Sequence, residues 1–382
     1  MRKLNKELLK TNIEKAAQYD FENQKVFGSA YCVIQEHQIV YENYFGTTSA
    51  DHTEPVDKNT MFRLASMTKP VTAAAVLILV ERGLLSLSDK AADYLPEFKD
   101  IHISQVGENN EIVDLGKAKG DVTVWNLLTH TSGFGSDLTK MQKLTAEDKK
   151  SIDNYIKFHA GSGLDFEPGT QQQYSGTAAF DVLARIVEII TETDYHSFLK
   201  KEIFEPCDMV NTTFVPTQKQ WEQIIAMHNK VDDKSCDAKM KENCVFADYP
   251  CSHYLGGAGL ASTLEDYSKF AKMLLNKGRT PKKQILGEDT LRMMHTLRIS
   301  EEIMPYSEIW GLGVRVIVRD AYKTLPVGTF GWSGAYGTHF WIDPVNNVAA
   351  VYMKNSLFDG GAGNESARNF EKAVNDSFEL NE

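Results

Sequence analysis

The alternation of hydrophobic and polar residues predicts a β-rich beginning of the chain, a helical middle and a β-rich end. Apolar residues recur at near-helical intervals among charged residues over 4–19, which predicts an amphipathic first helix. Short β-branched and aromatic runs at 30–34 and 39–41 are separated by a polar stretch at 35–38. This pattern is typical of a β-hairpin.

A run rich in Ala, Val and Leu over residues 67–82 predicts a helix that ends at Gly83. Proline is tolerated only in the first turn of a helix, so Pro70 requires this helix to begin close to Ser66. Helical patterns and loops continue from about residue 85 to residue 250, including a helix that follows Tyr174.

β-type patterns return near the end of the chain, after helices predicted at 264–275 and 290–296. The later elements are expected as strands at 313–318, 329–332, 338–342 and 348–353, a turn at 343–347 and a closing helix at 365–378. Strands near both chain ends, with helices between them, imply one sheet assembled from both ends.

We therefore predict an α/β (α+β) fold with an antiparallel sheet from both chain ends flanked by helices, plus a mainly helical inserted domain. Residues 1–84 and 254–382 are expected to form the discontinuous sheet domain. Residues 85–253 are expected to form the inserted domain, with the active site at the junction of the two.

Composition and charge narrow the class of protein. The 382 residues are 42% hydrophobic and 24% charged, as in ordinary globular proteins. A net charge of -11 disfavours nucleic acid or an anionic membrane as a partner. The first thirty residues are rich in charge, and the longest apolar run, 73–80, is too short to cross a bilayer. We expect a cytoplasmic protein with no membrane partner, and the sequence does not predict its oligomeric state.

The five cysteines are an odd number in a large chain, so free thiols are expected rather than a disulfide scaffold. Three of them, Cys236, Cys244 and Cys251, lie near His253. Their intervals match no common zinc-binding pattern, so no metal site is expected. The sequence does not explain the role of this segment.

The first candidate for chemistry is the sequence Ser66-Met67-Thr68-Lys69. On a helix, residues three apart share a face, which brings the Lys69 amine beside the Ser66 hydroxyl. The positive end of the helix dipole can also stabilise a developing oxyanion. The spacing alone is not specific, because Ser197 and Lys200 repeat it in a polar helical segment. An ordinary N-cap serine with a surface lysine is the alternative for Ser66.

The context of Ser66 resembles the serine β-lactamase-like superfamily, especially class C β-lactamases and family VIII carboxylesterases. The residues that carry this resemblance are 62–70, which lead into the Ala-rich helix, followed by 127–133 and 256–263 in the same order. It extends over about residues 25–355. The resemblance implies that Ser66 is the nucleophile, that Lys69 assists it, and that no cofactor is required.

Tyr174-Ser175-Gly176 matches the second motif of this superfamily, just after a turn at 167–169. The resemblance implies that Tyr174 is a general acid and base. The ordinary pKa of tyrosine, about 10, makes it a poor base at neutral pH, so this role requires a neighbouring cation such as Lys69. A structural tyrosine is the alternative.

Trp332-Ser333-Gly334 occupies the place of the third motif and resembles the Trp-x-Gly form of the esterase branch. By analogy, this segment binds substrate, with a hydrogen bond from the Ser333 hydroxyl. The analogy also places the Ala335 N–H with the Ser66 N–H in an oxyanion hole. For Trp332 the alternative is a core aromatic residue.

Two departures from the β-lactamase pattern bear on the substrate. Gly176 stands where β-lactamases usually have Asn, and Trp332 replaces the cation that would meet a carboxylate. A neutral cleft lined by aromatic residues suits an apolar ester, because a buried carboxylate without a partner is unfavourable. His339 or another basic residue can supply the missing charge, so this alternative stays open. His130 is expected to be structural.

No Gly-x-Ser-x-Gly, His-Glu-x-x-His or P-loop motif occurs in the chain. We therefore expect a serine hydrolase with an acyl-enzyme mechanism and a small-molecule ester or amide substrate, most simply a carboxylesterase. A β-lactamase or a D-alanyl-D-alanine-type carboxypeptidase is the alternative. A further alternative is a non-catalytic binding protein on the same scaffold.

Overall fold

The computed structural model describes residues 1–135, 137–240, 244–246, 252–320 and 324–379. Its α-helices are α1 Lys6–Glu22, α2 Thr68–Glu81, α3 Ala91–Tyr94, α4 Val124–Leu128, α5 Leu138–Met141, α6 Ile152–Gly161, α7 Ala178–Thr191, α8 Tyr195–Leu199, α9 Glu205–Cys207, α10 Gln218–Gln223, α11 Leu264–Leu275, α12 Glu288–Thr296 and α13 Glu365–Asn375. Short 3₁₀ turns span Ala65–Met67, Pro96–Phe98 and Asp148–Lys150, and a π turn spans Lys200–Phe204.

The strands are β1 Gly28–Gln35, β2 Gln38–Gly46, β3 Met61–Arg63, β4 His102–Val106, β5 Ile112–Lys117, β6 His228–Val231, β7 Lys234–Asp237, β8 Ala261–Thr263, β9 Glu308–Trp310, β10 Arg315–Ile317, β11 Phe330–Ser333, β12 His339–Asp343 and β13 Val348–Met353. Seven of them form one antiparallel sheet in the order β2-β1-β13-β12-β11-β10-β9. The pairing of β1 with β13 joins the two ends of the chain, which confirms the predicted fold class.

Helices cover both faces of this sheet because both faces are apolar. On one face, Cys32, Phe340 and Val351 pack into the large core that includes α2 and α11. On the other face, Tyr31 and Trp341 pack against α1 and α13. Each strand contributes alternately to the two cores, as the period of two along a strand requires.

The middle of the chain is mainly helical, from α3 to α10. It also contains two small hairpins that the hydrophobic pattern did not predict: β4 with β5 lies between α3 and α4, and β6 with β7 follows α10. Neither β5 nor β7 has a buried residue, so these sequences lack the apolar alternation of a half-buried strand. The division of the chain at residues 84 and 254 stays a prediction.

The two-stranded pair of β3 and β8 brings two distant segments together beside the sheet. Met61 lies opposite Thr263, and the Leu64 N–H donates to the Leu260 carbonyl at 2.9 Å. Because Ser66 follows β3 and the Gly256–Gly257 loop precedes β8, this short pairing places the loop beside the serine.

None of the described helices is both long and apolar enough to cross a membrane. Within the described ranges, no group of three or more His, Cys, Asp or Glu residues is placed to hold a metal ion. Cys236 lies on the β6–β7 hairpin and forms no disulfide, and the Cys244 thiol donates to the Phe246 carbonyl at 3.3 Å. Cys251 lies outside the described residues.

Candidate active site

Ser66 lies in the single 3₁₀ turn Ala65–Met67, directly before α2. Ala65 has a φ of 46°, in the left-handed region that side chains with a Cβ rarely adopt. Such a conformation persists only where the surrounding structure imposes it, and Ala65 is fully buried. The tight turn presents Ser66 at the positive end of the α2 dipole.

Lys69 is completely buried one turn after Ser66, and its amine points back at the serine. Its Nζ donates to Ser66 Oγ at 3.3 Å, to the Gly176 carbonyl at 2.5 Å and to the Gly257 carbonyl at 2.8 Å. These three acceptors match the three donors of an ammonium group. The two carbonyls therefore fix the direction of the amine, and a neutral amine can keep both of these hydrogen bonds while its lone pair faces Ser66 Oγ.

Tyr174 is the second side chain that contacts the serine hydroxyl. Its hydroxyl donates to Ser66 Oγ at 2.8 Å and accepts a hydrogen bond from Trp332 Nε1 at 3.2 Å. Lys69 Nζ lies 4.8 Å from the centre of the Tyr174 ring. The indole N–H and the lysine charge both stabilise negative charge on the phenolic oxygen as a proton leaves it.

Aromatic residues hold the Tyr174 ring in place. Trp310 stacks on it with centroids 5.7 Å apart, and the His130 ring lies 4.6 Å from it. Burial, together with the charge of Lys69, lowers the pKa of His130 well below its ordinary value, so this imidazole is neutral. Its Nδ1 accepts the Ser175 N–H at 3.1 Å, which is the structural role expected of His130.

The end of β11 lies directly against the residue that precedes the Ser66 turn. A Cβ added to Gly334 would lie 2.3 Å from the Leu64 carbonyl oxygen, so only glycine permits this approach. In the described part of the chain, no hydrogen bond uses the N–H of Ser66 or of Ala335. The Gly361 N–H holds the Ala335 carbonyl at 2.9 Å. Two available N–H groups on adjoining segments suit the predicted oxyanion hole.

The structure does not bring the Ser333 hydroxyl into this cleft. Strand alternation turns Trp332 towards Tyr174 and Ser333 to the other face of the sheet. There Ser333 is 2% exposed and its hydroxyl bonds to His339 Nδ1 at 2.7 Å. His339 Nε2 lies 3.0 Å from Glu371, so neither the expected Ser333 contact nor a His339 charge is available to a substrate.

Gly176 leaves space where the β-lactamase pattern has an asparagine. An added Cβ would meet no atom within 4 Å, while the Gly176 carbonyl is occupied by Lys69. The backbone thus holds the lysine, and the missing side chain leaves the cleft open beside it.

Apolar residues cluster on two sides of the Ser66 turn. On the Tyr174 side, the cluster consists of Ile299, Ile309 and Trp310, with Ile303, Met304, Val318, Tyr174 and Trp332 packed against them. On the Ala65 side, it consists of Ala65, Met227 and Tyr336, with Ala238, Met240 and Phe246. Sequence reasoning missed Trp310, because only the pairing of β9 with β10 carries it to Tyr174.

The chain matches the family model described as Beta-lactamase over residues 9–373. Esterase EstB of Burkholderia gladioli is 25% identical over 369 residues, with 89% of this chain and 88% of the esterase covered. A putative D-alanyl-D-alanine carboxypeptidase of Escherichia coli is 27% identical over 349 residues, with 85% and 77% covered.

Among solved structures, the chain is similar to EstCE1, described as a hydrolase with promiscuous acyltransferase activity. The TM-score is 0.82 at 19% identity, and 97% of this chain and 99% of EstCE1 are covered. At this identity the likeness shows the shared fold. The family match covers nearly the whole chain, and the family's members, including esterases, are serine hydrolases. The chain therefore belongs to the Beta-lactamase family and is a serine hydrolase.

Proposed function

We propose that the chain is a carboxylesterase that acts through an acyl-enzyme on Ser66. Ser66 Oγ attacks the ester carbonyl as its proton passes to Lys69, which acts as a neutral amine. The Tyr174 hydroxyl then gives its proton to the departing alcohol and takes one back from Lys69. The N–H groups of Ser66 and Ala335 hold the oxyanion of the tetrahedral intermediate. The alcohol departs with a proton, and water then releases the acid from the serine.

The observation that carries this proposal is the hydrogen bond between Trp332 and Tyr174. Trp332 stands where β-lactamases have a cation, and its Nε1–H is directed at the phenolic oxygen. Burial lowers the pKa of His339, against the opposing effect of Glu371, so that imidazole does not replace the cation. Trp332 provides no charge to pair with a substrate carboxylate, whereas the apolar residues of the two hydrophobic clusters suit an apolar ester.

The first test compares ester and β-lactam turnover. Purified protein is incubated with p-nitrophenyl acetate, p-nitrophenyl butyrate and a chromogenic cephalosporin. We expect ester turnover to exceed cephalosporin turnover, and Ser66→Ala to reduce it by about 10³-fold or more, because the nucleophile is lost. Mass spectrometry of protein quenched during butyrate turnover should show one acyl group on Ser66.

Ser197→Ala is the matched control. Ser197 repeats the Ser-x-x-Lys spacing but is exposed on α8, so its substitution should leave turnover unchanged. Faster cephalosporin than ester turnover, dependent on Ser66, would support a β-lactamase instead. Release of D-alanine from a D-alanyl-D-alanine peptide as the dominant activity would favour a carboxypeptidase. Equal rates for wild type and Ser66→Ala would contradict the Ser66 mechanism.

A further inference from the structure

The peptide bond between Gly256 and Gly257 lies beside Lys69 and is held by a hydrogen bond at each end. Its carbonyl, that of Gly256, accepts the Thr72 hydroxyl at 2.6 Å, and its N–H, that of Gly257, donates to Asp181 Oδ1 at 3.1 Å. The next carbonyl, that of Gly257, accepts Lys69 Nζ. Asp181 is thus connected to the lysine through one glycine residue and two hydrogen bonds.

Asp181 is fully buried, and half of its carboxylate has no hydrogen-bond donor in the described part of the chain. The atom that faces Oδ2 is Nε2 of His253, 3.7 Å away, and it also lacks a hydrogen-bond partner among the described residues. The His253 side chain is 6% exposed. A buried acid and a buried base therefore face each other, each with its remaining polar atom unsatisfied.

The hydrogen bonds of Ser252 indicate which nitrogen of His253 carries a hydrogen. The Ser252 hydroxyl has one hydrogen, which it donates to the Lys149 carbonyl. Towards His253 Nδ1, 3.3 Å away, the same oxygen can therefore only accept, so Nδ1 carries a hydrogen. Without a second ring hydrogen, the lone pair of Nε2 would face the carboxylate, which is unfavourable for a buried pair.

We propose that His253 carries a hydrogen on both ring nitrogens, and that its positive charge cancels the Asp181 charge behind Lys69. A buried, uncompensated carboxylate would stabilise Lys69 as an ammonium ion and oppose its action as a base. Asp181 and His253 are then positioning residues for the proton transfer at Ser66. The inference rests on the proposed function only in so far as Lys69 takes part in that transfer.

The neighbouring titratable groups do not perform this role. His159 packs beside Tyr155, which in turn contacts the His253 ring, and burial lowers the pKa of His159 to about 3, so it is neutral. Burial raises the pKa of Tyr195, whose hydroxyl donates to Thr72. Tyr155 contributes its hydroxyl to Thr177. His253 is the group placed to carry a positive charge against Asp181.

To test this, kcat/KM for p-nitrophenyl butyrate is measured as a function of pH. The pH at which it rises is compared among wild type, His253→Gln, Asp181→Asn and the variant that carries both substitutions. We expect His253→Gln to move this rise to higher pH by about one unit, the effect of a unit charge about 10 Å away at an effective dielectric of about 20. The double variant should return to the wild-type position, because no carboxylate remains to be cancelled. Glu188→Gln removes a charge from the same helix and should cause no shift.

If His253 had only a structural role, the shift of the pH profile in His253→Gln would not be reversed by the second substitution Asp181→Asn. Nitrogen-15 NMR of histidine-labelled protein gives a readout that needs no turnover and no His253 variant. At neutral pH, wild type should show His253 with both ring nitrogens protonated, and Asp181→Asn should show one. A singly protonated His253 in wild type, or coincident pH profiles for wild type and His253→Gln, would overturn the inference.

These outcomes are separable from failure of the proposed function. If wild type shows no Ser66-dependent ester turnover, the proposed function fails, and the NMR result still decides whether the pair holds a proton. If turnover depends on Ser66 but the profiles coincide, only the inference about Asp181 and His253 fails.

Discussion

Ser66 Oγ receives hydrogen bonds from two side chains of very different origin. Lys69 comes from the next turn of the same helix, at a spacing that local geometry fixes. Tyr174 comes from 108 positions away, and its place depends on the packing of Trp310 and His130. The lysine is a consequence of helix geometry, whereas the tyrosine is a consequence of the tertiary structure.

At the residue scale, Tyr174→Phe should lower kcat/KM for p-nitrophenyl butyrate by about 10²- to 10⁴-fold, the range for loss of a general acid or base. The ring and its stacking on Trp310 are kept, so the melting temperature should change little. Tyr306→Phe removes an equivalent hydroxyl from a residue that is 62% exposed, and should behave as wild type. Equal activity of the two variants would rule out catalysis by Tyr174.

At the element scale, the β11–β12 hairpin carries Ala335, whose N–H is a proposed member of the oxyanion hole. Gly334, directly after β11, lies at a distance from Leu64 that excludes any side chain. The Thr338 hydroxyl, on the return of the hairpin, donates to the same Leu64 carbonyl at 3.0 Å. The hairpin and the Ser66 turn are therefore packed tightly together, although nearly 270 residues separate them in the sequence.

Gly334→Ala should displace this hairpin from the Ser66 turn. The new methyl group would lie 2.1 Å from Thr338 Oγ1 and 2.3 Å from the Leu64 oxygen, so the backbones must separate. We expect a loss of stability of about 1–3 kcal/mol from overpacking and a fall in kcat of at least about tenfold. Gly161→Ala, where an added Cβ meets nothing within 4 Å, is the control for urea unfolding and kinetics.

At the scale of the whole molecule, α1 and α13 cover the face of the sheet opposite the cleft. The buried carboxylate of Glu371 helps to hold α13 there. Glu371 lies 3.5 Å from Arg315, accepts the Thr324 hydroxyl at 2.8 Å and faces His339. Burial alone would raise the pKa of Glu371, but the hydrogen bond from His339 and the charge of Arg315 outweigh it and lower this pKa to about 2.

This depressed pKa predicts acid sensitivity. Because the unfolded value is about 4.3, the stabilisation by Glu371 is complete above that pH and is lost as the pH falls towards 2. Glu371→Gln should lower the free energy of unfolding at pH 7 by about 3 kcal/mol, and the gap from wild type should narrow in urea titrations at about pH 3. Glu288→Gln, in an exposed pair with Lys277, should cost less than about 1 kcal/mol at either pH. A gap that stays constant with pH would contradict this role.

Local rules account for the elements that the sequence predicted well. The hairpin of β1 and β2, the turn between β12 and β13 and helix α11 follow from periodicity and turn residues that act over a few positions. Strand β9 and the hairpin β4–β5 were missed. Strand β9 has only three residues, and the outer surface of β4–β5 carries no apolar alternation. Their formation depends on partners that a local pattern does not reveal.

The sequence by itself determined the fold class, the Ser66–Lys69 pair and the motif positions of Tyr174 and Trp332, because helix spacing and motif order are properties of the chain. Only the tertiary structure decided which side chains face the cleft. It turned Ser333 and His339 away, brought Trp310 to Tyr174, and placed Asp181 with His253 behind Lys69. The physical reason is that strand pairing and helix packing set orientation and burial across hundreds of residues, which no local spacing encodes.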